Sequence, residues 1–104
     1  MANAIFVSLD SDVNANGDSL AVAHRCTLTG VNIKNAKASA LTVNLRNAST
    51  AAAGAAASNL YTWTLAAGDS YVQEFDANCP LFTNGIYVES DGDTTASHMT
   101  LLIV

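Results

Sequence analysis

A chain of 104 residues has room for one domain and no second, and although 50% of it is hydrophobic, 19 of those residues are alanines, so the expected core is thin. Charged residues make up only 12% and the net charge is −5, with Arg25, Lys34, Lys37 and Arg46 as the cations. Four scattered cations form no basic patch of the kind that displaces counterions from phosphates, which excludes a nucleic-acid partner and an anionic membrane surface.

Ser, Thr and Asn take the place of charge on the surface, a composition that suits a protein fixed among neighbours better than a freely diffusing enzyme. No segment approaches the ~20 apolar residues that a bilayer-spanning helix needs. Residues 1–9 show neither a basic start nor a long apolar stretch, so no secretory signal is expected. The chain is therefore read as made and used in a cytoplasm, or in a particle assembled there. In that setting Cys26 and Cys79 are expected as buried thiols; their spacing is not that of a redox pair.

In chain order, residues 4–9 form the first expected strand, with Ile5, Val7 and Leu9 on one face and Ala4 and Phe6 on the other. The next segment holds Asp12, Asn14, Asn16, Gly17 and Asp18, which resembles the first half of an EF-hand or dockerin calcium loop. The bidentate Glu that would complete it falls on Ala23, and the flanks read as strands. A solvated turn is the better reading, and no metal is expected.

Leu20, Val22, His24, Cys26 and Leu28 alternate along a second strand, which continues through Val31 and Ile33 past a bulge at Gly30. Leu41, Val43 and Leu45 mark a third. The sequon at Asn47 carries no weight without secretion. The alanine tract at residues 51–57 is interrupted by Gly54 and reads as a loop, with room for one turn of helix. Tyr61, Trp63 and Leu65 define a fourth strand with Thr62 and Thr64 opposite, and residues 71–75 a fifth. Tyr61, Trp63 and Tyr71 could stack on sugars, but their alternation with Leu65 and Phe75 places them in the core. Ile86 and Val88 mark a sixth strand and residues 95–104 a seventh, joined through Asp91 and Gly92 as an expected β-hairpin.

Candidate chemistry is sparse. His24 and His98 are too few for a zinc site and read as strand histidines. No serine stands in a nucleophile elbow, and Asp91 and Asp93 read as turn acids rather than paired catalytic carboxylates. No catalytic residue and no cofactor are expected. The terminal strands are the informative feature, because both are apolar on both faces: Leu101 and Ile103 alternate with Leu102 and Val104. A solitary sandwich strand should keep one polar face. Phe6, Leu102 and Val104 are therefore the expected contact residues for another subunit or a host surface.

The reading is one domain over residues 1–104: all-β, an antiparallel β-sandwich, jelly-roll-like, with about seven to eight strands. Residues 28–35, the run 65–70, Phe75 and the stretch 84–89 before a glycine turn and a closing apolar strand carry a resemblance to a known family. The chain resembles the small jelly-roll or sandwich capsid decoration (cement) proteins of tailed bacteriophages. The resemblance implies a homotrimer on the virion surface, assembled in the host cytoplasm and seated where major capsid subunits meet. It implies no particular functional residue, since such proteins act through surfaces. The alternative is a carbohydrate- or receptor-binding module of a phage tail or spike, which would present Tyr61, Trp63 or Tyr87 in an exposed row.

Overall fold

Alternating runs of aliphatic and β-branched residues, cut by Asn, Asp and Gly turns, form nine strands in the computed structural model, which describes residues 3–104. They are β1 (Asn3–Ser8), β2 (Ser19–Val22), β3 (Cys26–Lys34), β4 (Leu41–Asn47), β5 (Tyr61–Leu65), β6 (Ser70–Glu74), β7 (Leu81–Phe82), β8 (Ile86–Ser90) and β9 (His98–Ile103). One short helix, α1 (Ala51–Ala56), lies between β4 and β5.

The strands pair in a nested order: β4 with β5, β3 with β6, β2 with β8 and β1 with β9, all antiparallel. The chain is thus one long doubled ribbon with α1 near its tip, rolled so that β9 also meets β3 and β8 also meets β4. Rolling yields two sheets, β1-β9-β3-β6 and β2-β8-β4-β5, which is a jelly roll. The two-residue β7 takes up the edge of β3 at Cys26 and Thr27, where β6 no longer covers it. Eight strands make the roll, and β7 brings the number to nine against the seven to eight expected.

Three expectations are corrected. The run from Leu20 to Leu28 is two strands in opposite sheets, with residues 23–25 as the corner between them. Alternation survives the corner because β2 and β3 both aim Val22, Cys26 and Leu28 at the same core, so the pattern hid the break. His24 consequently lies in a connection and not on a strand. Likewise β8 and β9 do not form a hairpin. Residues 91–97 cross from one sheet to the other, and the Ser11 N–H donates to the Asp93 carbonyl at 2.8 Å on the way. Gly92 is held so tightly there that a Cβ would stand 1.9 Å from the Leu9 carbonyl oxygen.

The third correction is α1. The Thr50 hydroxyl caps it by accepting the Ala53 N–H at 3.1 Å, and the helix lies on the outer face of the second sheet over Tyr87. Gly54, read as the helix breaker, is the point of contact: an added Cβ would fall 2.2 Å from Tyr87 Cγ. Tertiary packing decides this segment, not propensity.

Between the sheets, Leu9, Leu28, Ile33, Leu41, Leu45, Phe82, Ile86, Met99 and Leu101 are fully buried. Gly30 sits at a register shift in the β3–β9 ladder, the expected bulge. Buried polar groups are paired. Asn35 donates its amide to the carbonyls of Ser39, Leu65 and Ala66 at 2.9, 3.2 and 2.9 Å, and accepts the Lys37 N–H at 2.8 Å. It ties two connections together at one end of the roll. Asp10, Asp12, Asp18, Asp69, Asp91 and Asp93, six of the nine acids, lie in or beside the connections at this same end.

Candidate assembly surface

Register sets the outer face of the first sheet. Ala4 pairs with Leu102, Leu102 with Gly30 and Gly30 with Glu74; in the next row Phe6, Thr100, Asn32 and Val72 stand side by side. A third row holds Ser8, His98, Lys34 and Ser70. Beyond the bulge the alternation continues, with Val104 bonded both ways to Thr27 and Thr27 paired with Leu81.

All three expected contact residues are on this face and open to solvent: Phe6 is 67% exposed, Val104 55% and Leu102 36%. The structure adds Leu81 and Val72, so five of the eight large exposed apolar side chains among the described residues share one sheet face. Val72 was discernible as the residue out of phase with Tyr71, Gln73 and Phe75. Leu81 was not, because a two-residue strand has no period. Scattered exposed apolar residues are ordinary; a gathered set is not. Lys34 and Glu74 are the charged residues in these rows. The Phe6 ring stacks on His98 with centroids 5.4 Å apart, and Leu102 leans over Gly30, where a Cβ would meet its Cδ1 at 3.3 Å.

The opposite outer face differs. Thr62 donates to Asn44 Oδ1 at 2.6 Å, the Asn44 amide donates to Glu89, and Arg46 Nε donates to Asn59 Oδ1 at 2.7 Å. Thr42 and Thr64 pair at 3.2 Å. These polar groups satisfy one another, and α1 covers Tyr87.

The acidic candidates are held by hydrogen bonds to backbone. In the 10–18 segment, Asp10 Oδ1 accepts the Asp12 N–H at 2.8 Å and Asp18 Oδ1 accepts the Ser90 N–H at 3.0 Å. Asn14 turns its amide onto the Ser8 carbonyl at 2.8 Å, and Asn16 takes a left-handed φ of 60°. Burial raises the Asp18 pKa, with the Ser90 N–H opposing. Asp91 Oδ1 accepts the Thr42 N–H at 2.7 Å, and Asp93 accepts the Thr95 N–H and hydroxyl, which hold its pKa below the ordinary value. The length of β3 separates His24 from His98, since Lys34 pairs with His98 and Cys26 begins the strand.

Tyr61 and Trp63 are half-buried, their rings 6.3 Å apart, and Tyr61 also packs on Phe75 and Phe82. Gln73 Oε1 accepts from Trp63 Nε1 at 3.2 Å and from the Tyr71 hydroxyl at 3.0 Å, bridging the edges of β5 and β6 where the two sheets meet. Tyr71, expected in the core, is exposed instead at the β6 edge, and with Tyr87 under α1 these aromatics do not line up as one exposed row. Cys26 is buried and Cys79 half-buried, both as free thiols, and burial pushes the Cys26 pKa up.

Comparison with protein families, with curated proteins and with solved structures finds nothing that matches this chain.

Proposed function

We propose that this domain is a virion structural protein that decorates or cements a phage capsid, binding at contacts between major capsid subunits and to further copies of itself. It acts through surfaces, without catalysis or cofactor, on the outside of a particle assembled in the host cytoplasm. The observation that carries the reading is the gathering of Phe6, Leu102, Val104, Leu81 and Val72 on one face of one sheet. Burying Phe6, Leu102 and Val104 against a shell would contribute about 1.5–3 kcal/mol each, reduced by what each already buries. The acids collected at one end of the roll suit the part that stays in water.

The test is addition of the purified protein to capsid shells that lack it, read by co-sedimentation and by the symmetry of the added density. Stoichiometric binding that is lost in Phe6→Asp and Leu102→Asp is the expected result. Shells that take up no protein, or take up both variants as well as the parent, reject the reading.

A further inference from the structure

β1 is an edge strand with β9 as its only ladder partner among the described residues. Hydrogen-bond parity shows which backbone groups its free side carries. Leu9 donates its N–H to the Ser97 carbonyl at 2.9 Å, which makes Leu9, Val7, Ile5 and Asn3 the residues whose N–H and C=O groups point to β9. Ala4, Phe6 and Ser8 therefore point theirs outward. The Ser8 carbonyl is already taken by the Asn14 amide at 2.8 Å, which closes that end of the edge. What remains is one N–H and one C=O on Ala4 and the same on Phe6, with the Ser8 N–H at the closed end.

Natural edges are usually blunted by charge, proline, a bulge or shortness. Of the other three edges, β2 has four residues and a register shift, β6 carries Glu74 between Asp69 and Asp76, and the five-residue β5 lies beside β6, with Trp63 bonded across to Gln73. β1 is six residues without charge, proline or bulge. A chain of net charge −5 can meet itself only where acids do not face acids, and this edge meets that condition.

We infer that two copies of the chain join edge to edge through β1, antiparallel about a two-fold axis at Ile5. In that register Ala4 faces the partner's Phe6 and Phe6 the partner's Ala4, so four hydrogen bonds consume the free groups of Ala4 and Phe6. The side chains agree with the backbone. Each Phe6 settles beside the small side chain of the partner's Ala4 and reaches the partner's Leu102, which pairs with that alanine. The first sheets of the two copies become one continuous sheet, with the apolar faces of both on the same side. The inference rests on the assembly reading above and deepens it by naming the occupant of the edge. Its symmetry is two-fold and isologous, unlike the three-fold arrangement that the family resemblance implies.

Sedimentation and amide exchange test it on the intact chain. The expected mass at high concentration is twice the 10.7 kDa of the monomer. The Ala4 and Phe6 amides should exchange more slowly as concentration rises, while Ile5 and Val7 stay protected throughout. Ala4→Pro deletes a free-edge donor without touching the β9 ladder, so it should restore the single mass with unchanged circular dichroism. A monomer at millimolar concentration, a trimer, exchange at Ala4 and Phe6 that ignores concentration, or a folded Ala4→Pro that still doubles would each overturn the pairing. If Ala4→Pro does not fold, the exchange pattern of the native chain decides. A protein that binds shells as a monomer sinks the pairing alone; one that pairs but never binds a shell keeps the pairing and removes the capsid role.

Discussion

Replacing Gly54 by alanine sets two physical expectations against each other. By helix propensity the change should stabilise α1, since glycine in a helix interior is about 1 kcal/mol worse than alanine. Packing gives the opposite sign. The new Cβ would lie 2.2 Å from Tyr87 Cγ, 2.3 Å from Cδ2 and 2.7 Å from Cβ, well inside van der Waals contact. These atoms are the root of a buried ring on a central strand, so the neighbour cannot swing away. Overpacking costs roughly 1–3 kcal/mol, and contacts this far inside van der Waals distance belong to the upper part of that range, about 2–3 kcal/mol, unless α1 lifts from the sheet and exposes Tyr87. After the propensity gain, a net loss of about 1–2 kcal/mol remains, equivalent to some 4 °C or more in Tm for a domain of this size. Thermal and urea unfolding followed by circular dichroism measure it, and tyrosine fluorescence reports whether the ring is uncovered. A Gly54→Ala protein as stable as the parent, or more so, would refute the placement of α1 on Tyr87.

Asn35→Ala should cost about 3 kcal/mol in urea unfolding, because it leaves three carbonyls and the Lys37 N–H without their partner at a buried position. Phe6→Asp and Leu102→Asp should each change unfolding free energy by only about 0.5 kcal/mol, being exposed, while abolishing shell binding. Asp18 has a pKa raised above 3.8 by burial, so the folded state holds its proton more tightly than the unfolded chain. Stability from this group is gained as pH falls through the folded pKa and is lost as pH rises above it; Asp18→Asn should flatten that part of the pH–stability curve just above pH 3.8. An unchanged slope in the variant would count against the half-buried placement of Asp18.

Much of this molecule is legible in one dimension. The period of two located the strands, and the same parity put Phe6, Leu102 and Val104 on the side away from Val7, Leu101 and Ile103. That is a local property: successive side chains leave a strand on opposite sides, whatever the strand pairs with. Asp10 and Asp93 were likewise readable as turn acids, because short polar side chains bond to backbone within a few residues, whereas Asp18 and Asp91 hold the distant Ser90 and Thr42 N–H groups.

Which sheet each strand joins was decided only in three dimensions. Alternation looks the same in either sheet of a sandwich, so nothing in the run from Leu20 to Leu28 marks the corner at residues 23–25, and nothing near Asp91 separates a crossing from a hairpin. The role of Gly54 depended on Tyr87, 33 positions away, and that of Asn35 on carbonyls about 30 positions away. The union of Leu81 and Val72 with the terminal strands is of the same kind. Side-chain direction follows from a residue and its neighbours; partnership follows from how the doubled chain is rolled, which brings together residues that are distant in sequence.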